Sequence, residues 1–369
     1  MKRWHVAALT LLVLFARMPE RFLHGFLWAE DGNVFLAQAY ELGVRSVWHP
    51  YAGYLHLLPR LAVWLFTQLF PITASPIVFA WFSALALAAA CAYIYGATGR
   101  AWIALVPVLV PAKGEVWLVM TNLQWALAPA LLVLLWEIFE EKRSSPSRYG
   151  ALAVLTLTGP FGLLFAPTVL ARVAWMRRCN WSAMAVYFAV CMAQVGTLAW
   201  SATHGESSTT HDPINVFQYP WIGESLRHLV GDLFAPSIAI WISVPALCLT
   251  AWSIYRAKQM PAGIALIGLA TLIWALGMLR TGNVGDLSWL GGGGRYFYLP
   301  FVFMIWTLLL CRPNWIATAL LIVIAGNSIM HFQADRYMPA RFERSGDKWM
   351  ITVPPGEVWS FSVDANGRQ

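Results

Sequence analysis

Apolar runs of helical length alternate with short polar or basic links, and that alternation predicts the elements in order. Lys2 and Arg3 precede an apolar run from Trp4 to about Phe15. No small-residue cleavage site follows and further apolar runs do, so this is an uncleaved first helix with its N-terminus inside. A polar island from about residue 17 to 60 then lies outside, opposed by Arg17 and Arg21 but offset by Glu20 and the pair Glu30-Asp31. Within it, Asp31 or Asn33 reads as the cap of a helix of about eleven residues, with Phe35, Ala39 and Leu42 on one stripe and Gly43 as its stop. Such a helix lies in the membrane interface.

The island leads through Pro50 to Pro59 into a second span, Leu61 to about Phe70, a turn over Pro71 to Pro76, and a third span, Ile77 to about Ala97. Ala101 to Pro111 is apolar but short, and Val116 to Trp136 is interrupted by Thr121, Asn122 and Gln124. One of these elements is short, tilted or re-entrant, which needs surrounding protein or a cavity. Glu137 to Arg148 reads as a cytoplasmic loop. Tyr149 to Ala171 has basic residues at both ends and Gly159-Pro160 in the middle. Two half-helices dipping outward satisfy the positive-inside pattern better than one straight span.

Ala183 to Thr203 then crosses outward, followed by a polar loop, His204 to Leu233. Ile238 to Tyr255 returns to Arg256 and Lys258, Ala262 to Leu279 goes out, and Arg280 to Arg295 is an outer loop containing Gly291 to Gly294. Tyr296 to Leu310 returns to Arg312, and Ile316 to about Met330 makes the last crossing. The chain reads as an all-α polytopic membrane protein of about 10–12 transmembrane or re-entrant helices. Residues 1–331 form the embedded domain and 332–369 an extracytoplasmic tail, where alternation in MITVPPGEVWSFSV predicts a small hairpin acting as a flap.

Composition agrees: 59% hydrophobic and 12% charged residues, with mean hydropathy +0.59, depart far from a soluble balance. The net charge of +7 sits in small clusters between apolar runs, which speaks for a bilayer and against a nucleic-acid partner. The five cysteines show no CxxC spacing, so neither a disulfide framework nor a metal site is indicated. His204, Glu206, His211 and Asp212 fit no standard zinc spacing, and Gly291 to Gly294 lacks the Lys-Ser/Thr of a phosphate loop. Many of the 21 Trp residues, including Trp48, fall near segment ends, where the plain reading is interfacial anchoring.

The candidate chemistry gathers in the island. Asp31 suits a general base, with Glu30 as the alternative base or a metal-orienting partner; the plain alternative is a helix cap beside a solvated acid. Arg295 suits a forked contact to two phosphate oxygens, with Arg60 as a second contact or an interfacial anchor. His49, Tyr51, Tyr54 and His56 would line a pocket by the acids. Asn122 and Gln124 bind sugar hydroxyls or make helix-helix contacts.

The acidic pair directly after the first helix, the HPYAGY lead-in to the second and the GRYFYLP lead-in to a late one together resemble the GT-C class of integral membrane glycosyltransferases. The resemblance implies an inverting enzyme of a bacterial inner membrane that takes a sugar from a polyprenyl-phosphate-linked donor on the extracytoplasmic side. The acceptor would be a glycan, a lipid or a protein, and a divalent cation is an open cofactor. It places Tyr296, beside Arg295, among the substrate contacts. The class commonly carries His-Pro-Pro; here His49-Pro50-Tyr51 departs at the third position, and the class's large soluble C-terminal domain has no counterpart in these residues. A transporter or flippase for a lipid-linked saccharide would use the same groove without needing a base, and a non-catalytic membrane subunit would need the acidic pair only as a cap.

Overall fold

The computed structural model describes residues 1–112, 115–141, 144–176, 179–204, 255, 260–281, 294–310, 315–330, 332, 337–354 and 359–364. The described chain is mostly helical. Helix α1 (Arg3–Arg17) and the short α2 (Pro19–His24) precede a π-helical stretch, Asp31–Leu36, which runs into α3 (Ala37–Leu42) and a 3-10 turn, Gly43–Trp48. Then come α4 (Leu57–Leu69), α5 (Ser75–Thr98), α6 (Ala101–Leu109), α7 (Leu123–Ile138), α8 (Pro146–Thr156), α9 (Phe161–Met176) and α10 (Trp181–Thr203). Helices α11 (Met260–Thr281), α12 (Arg295–Leu310) and α13 (Trp315–Met330) lead to strands β1 (Arg341–Ser345), β2 (Lys348–Thr352) and β3 (Ser360–Asp364).

Two described helices are long and apolar enough to cross a membrane, Ile72–Thr98 with its 3-10 lead-in and Trp181–Thr203. Leu57–Leu69, Leu123–Ile138, Phe161–Trp175, Pro261–Gly277 and Arg295–Leu310 are apolar but shorter. The 16 residues of α7 rise about 24 Å, less than a hydrocarbon core of about 30 Å. The expected crossing at Ile238 to Tyr255, except Tyr255 itself, and most of the two outer loops, His204 to Leu233 and Arg280 to Arg295, lie outside the described residues, as do Glu206, His211 and Asp212 of the loose metal set.

The chain divides into two compact units. The first takes in residues 1–13, 91–116 and helices α11 to α13. There α11 packs along α12, where Gly277 admits the Tyr296 ring: a Cβ at Gly277 would lie 2.6 Å from it. Pro107 inside α6 has no N–H for the Ile103 carbonyl one turn back, and the Trp306 indole of α12 donates to it instead at 2.9 Å.

The second unit takes in residues 14–90, 117–204 and the C-terminal sheet. Tyr149 to Ala171 is indeed broken: α8 ends at Thr156 and α9 begins at Phe161 across Gly159-Pro160. The break frees backbone groups in an apolar setting, and side chains and loop take them up. Gln194 of α10 donates Nε2 to the carbonyls of Thr156 (3.3 Å), Gly159 (3.0 Å) and Leu55 (3.3 Å), and its Oε1 accepts the Leu55 N–H at 3.0 Å. Leu57 N–H donates to the Leu157 carbonyl, and Thr158 Oγ1 accepts the Leu58 N–H. The loop before α4 is thereby fixed to α8, α9 and α10.

The tail forms a three-stranded antiparallel sheet in the order β1-β2-β3, the predicted β2-β3 hairpin plus one further strand. Its apolar face, Ile351, Val353, Phe361 and Val363, packs with Phe35, Leu36 and Ala39 of the π-helical and α3 segment. Burial of each such side chain is worth about 1.5–3 kcal/mol relative to exposure. Contact is close at Gly32, where a Cβ would stand 2.8 Å from Val353 Cγ1 and 3.0 Å from the Phe361 ring.

Candidate functional site

The segment from Val116 to Trp136, expected to be an interrupted span, is unwound as far as Asn122, and backbone polar groups there are met from the first island. Arg21 donates Nη1 to the Trp117 carbonyl at 2.7 Å, and the Arg17 guanidinium lies 4.9 Å from the Trp117 ring. Leu118 adopts φ 60°, left-handed backbone that costs a non-glycine residue on the order of 1–2 kcal/mol. Met120 and Thr121 follow with N–H groups that have no helical carbonyl to donate to. Asp31 supplies the acceptors: Oδ1 takes the Thr121 N–H (2.7 Å) and hydroxyl (2.6 Å), and Oδ2 takes the N–H of Met120 (3.1 Å) and of Trp28 (3.4 Å).

Asp31 is therefore not the cap of its own helix. The residue at the cap position is Glu30, with no side-chain cap bond, and neither Asp31 nor Asn33 fills that role. The carboxylate instead ties the π-helical turn to the lead-in of α7. Burial pushes the Asp31 carboxyl up to about 6, against the opposing pull of the Thr121 and Met120 hydrogen bonds, and neighbouring Glu30 adds to the rise. With both oxygens engaged and no exposure, Asp31 positions backbone and has no lone pair turned toward a substrate proton.

Glu30 is placed differently. It is half-buried, the Tyr51 hydroxyl donates to its Oε1 at 3.5 Å, and its buried Oε2 has no hydrogen-bond partner among the described residues. A π-helical turn at this point is a wide, strained winding that recurs at functional sites. Of the predicted pocket residues Tyr51 meets Glu30, and His56, Tyr54 and Gln124 continue a chain of contacts from it. The His56 ring is buried between Phe35 (5.3 Å), Tyr51 (5.7 Å) and Tyr54 (4.8 Å). Gln124, at the start of α7, donates Nε2 to the Tyr54 hydroxyl at 3.5 Å, and its buried Oε1 has no partner among the described residues. Gly159, at φ 134°, makes room for that amide: a Cβ there would lie 2.2 Å from Oε1. Asn122 is buried beside it at the N-terminus of α7.

Arg60 is no interfacial anchor reaching for headgroups, because it is buried. Its Nη1 donates to the Ser46 carbonyl (3.2 Å), its Nη2 to the Pro50 carbonyl (3.4 Å), and its guanidinium sits 4.5 Å from the Phe35 ring. It holds the 46–50 backbone rather than presenting a fork outward. His49 lies on that backbone, at the edge of an open groove against α10.

Arg295 and Tyr296 open α12 in the first unit, and the acidic pair belongs to the second. There Glu115, an acid the sequence reading passed over, accepts the Arg295 N–H at 2.8 Å on Oε1 and its Nη1 at 3.4 Å on Oε2. Gln194 was also passed over; its only signal is an amide inside an apolar run. With both Asp31 oxygens committed, the acidic pair does not present two carboxylates to a shared cation. Among the described residues no group of three or more His, Cys, Asp or Glu side chains is arranged to hold a metal. Comparison of the chain with protein-family models, with curated proteins and with solved structures found no match.

Proposed function

We propose that the chain is a multi-pass glycosyltransferase of GT-C type in a bacterial inner membrane, transferring a sugar from a polyprenyl-phosphate-linked donor to an acceptor hydroxyl on the extracytoplasmic face. The observation that carries this reading is Glu30: a carboxylate with one buried oxygen unpartnered among the described residues, steadied by Tyr51, which leads into a buried cluster of His56, Tyr54 and Gln124. The role of base, assigned first to Asp31 from sequence, passes to Glu30, and Asp31 holds the turn that carries it.

In the proposed step Glu30 Oε2 takes the acceptor proton as the acceptor oxygen bonds to the sugar's anomeric carbon from the face opposite the leaving group. The carbon–oxygen bond to phosphate breaks, and its electron pair leaves with the polyprenyl phosphate, inverting the centre. Gln124 Oε1 accepts a sugar hydroxyl, and Tyr51, Tyr54 and His56 form the apolar wall. The phosphate contact given to Arg295 rests on the sequence; within the first unit its guanidinium pairs with Glu115.

The test is Glu30→Gln, compared with wild type for transfer of radiolabelled sugar from a polyprenyl-phosphate donor in membranes and for donor binding by the purified protein. Transfer should fall by about 10²-fold or more, the scale of a positioned base, with donor binding kept. Full transfer in Glu30→Gln refutes the assignment. Donor movement across the bilayer without transfer, in wild type, would replace the enzyme by a flippase.

A further inference from the structure

The second unit holds an open groove of about 450 Å³ between the 3-10 turn Gly43–Trp48 and the C-terminal turns of α10. One wall carries Arg45, Trp48 and His49; the other carries Thr197 and Trp200, with Gly196 between them. The volume falls in the range of small-molecule sites. Two large indoles face outward here, Trp48 at 61% and Trp200 at 42% exposure. A His204 ring is stacked on Trp200 at 4.4 Å.

The walls are fixed before anything binds. Arg60, a buried cation, uses two donors to hold the carbonyls of Ser46 and Pro50, either side of the Trp48-His49 wall. Gln194, one turn below Gly196 and Thr197, bolts α10 to Leu55. The floor is left open at Gly196, where a Cβ would meet nothing within 4 Å. Pro50, on the rim of the groove, is followed in the chain by Tyr51, whose hydroxyl donates to Glu30.

We infer that this groove binds the acceptor, and that the acceptor is an acidic oligosaccharide. This rests on the transferase reading above. Exposed indoles on the two walls of an open, rigid groove suit the flat C–H faces of sugar rings; Thr197 and His49 supply polar edges for hydroxyls. Arg45 supplies the charge: it is exposed and has no carboxylate within ion-pair distance among the described residues, and its guanidinium forks a carboxylate or other acid group on the glycan.

The test measures binding alone, so that it does not depend on transfer. Purified protein in neutral-lipid nanodiscs is titrated with trigalacturonic acid and with maltotriose at low salt. Wild type should bind the acidic trimer at least about tenfold more tightly than the neutral one. Gly196→Leu, which fills the floor of an uncrowded helix position, and Trp200→Ala should each weaken both by about tenfold or more. Arg45→Gln should remove the preference for the acidic trimer and leave the neutral one unchanged. Absence of saturable binding to wild type, or affinities unchanged in Gly196→Leu, overturns the groove; equal affinity for the two trimers overturns the acidic acceptor. Saccharide binding by a wild-type protein that transfers no sugar from the polyprenyl-phosphate donor would refute the transferase and leave the groove standing.

Discussion

Replacing Thr121 by Val deletes one hydroxyl at nearly constant volume and reads directly on the Asp31 tie. The lost bond, 2.6 Å to a fully buried carboxylate, is charge-assisted and worth about 1.5–3 kcal/mol while Asp31 is ionised. Because burial lifts that carboxyl from 3.8 to about 6, folding favours its protonated form. The corresponding stability is full below about pH 4 and is lost as pH rises through about 6, a total of about 3 kcal/mol. At pH 5 Asp31 is mostly protonated, and the missing hydroxyl then costs only a neutral bond, about 1 kcal/mol. Thr121→Val should therefore destabilise by about 2 kcal/mol at pH 8, with a gap to wild type about 1 kcal/mol smaller at pH 5. Thermal unfolding of both proteins in detergent, followed by near-UV circular dichroism at the two pH values, measures it. An equal gap at both values, or none at pH 8, refutes the reasoning that Asp31 is an ionisable clamp.

Gln194→Leu keeps bulk but orphans the Leu55 N–H and the Thr156 and Gly159 carbonyls; at about 1–3 kcal/mol for each buried group, detergent melts should show a loss of about 3 kcal/mol or more. Arg295→Lys keeps charge but not the fork, so transfer should fall by about 10-fold to 100-fold in membrane assays; undiminished transfer would reduce Arg295 to the partner of Glu115. Single cysteines at the exposed Val44 and at Ser288 should both react with an impermeant thiol reagent added from outside, and labelling from opposite sides would break the proposed topology.

What the sequence disclosed follows from how local each cause is. Apolar runs and their breakers are local, so α1, α4, α5, α10 and the break at Gly159-Pro160 appear near their expected places. The polar set Thr121, Asn122 and Gln124 marked irregularity correctly, but the unwinding begins earlier, because what stabilises it is Arg21 and Asp31 from another part of the chain. The sequence separation of 90 between Asp31 and Thr121 is also why the acid looked like a cap: a cap has a local signature and a clamp does not. Strand β1, RFERS, escaped because an exposed edge strand carries charges in place of alternation. The pocket's aromatic members were legible as a cluster in HPYAGYLH, whereas the roles of Arg60 and Glu115 depend on burial and pairing that spacing does not encode.

The seating of the tail sheet on Gly32 bears on when the protein becomes competent. Val353 and Phe361 leave the ribosome long after the island they cover, so through most of synthesis the turn carrying Asp31 lacks its outer wall. A nascent chain, or one cut before β2, would carry every pocket residue and still have an unsupported site. Proofreading by membrane proteases would then act on a loop that only a finished chain can shield, and a bulky fusion placed close behind β3 would imitate a lesion in the pocket itself.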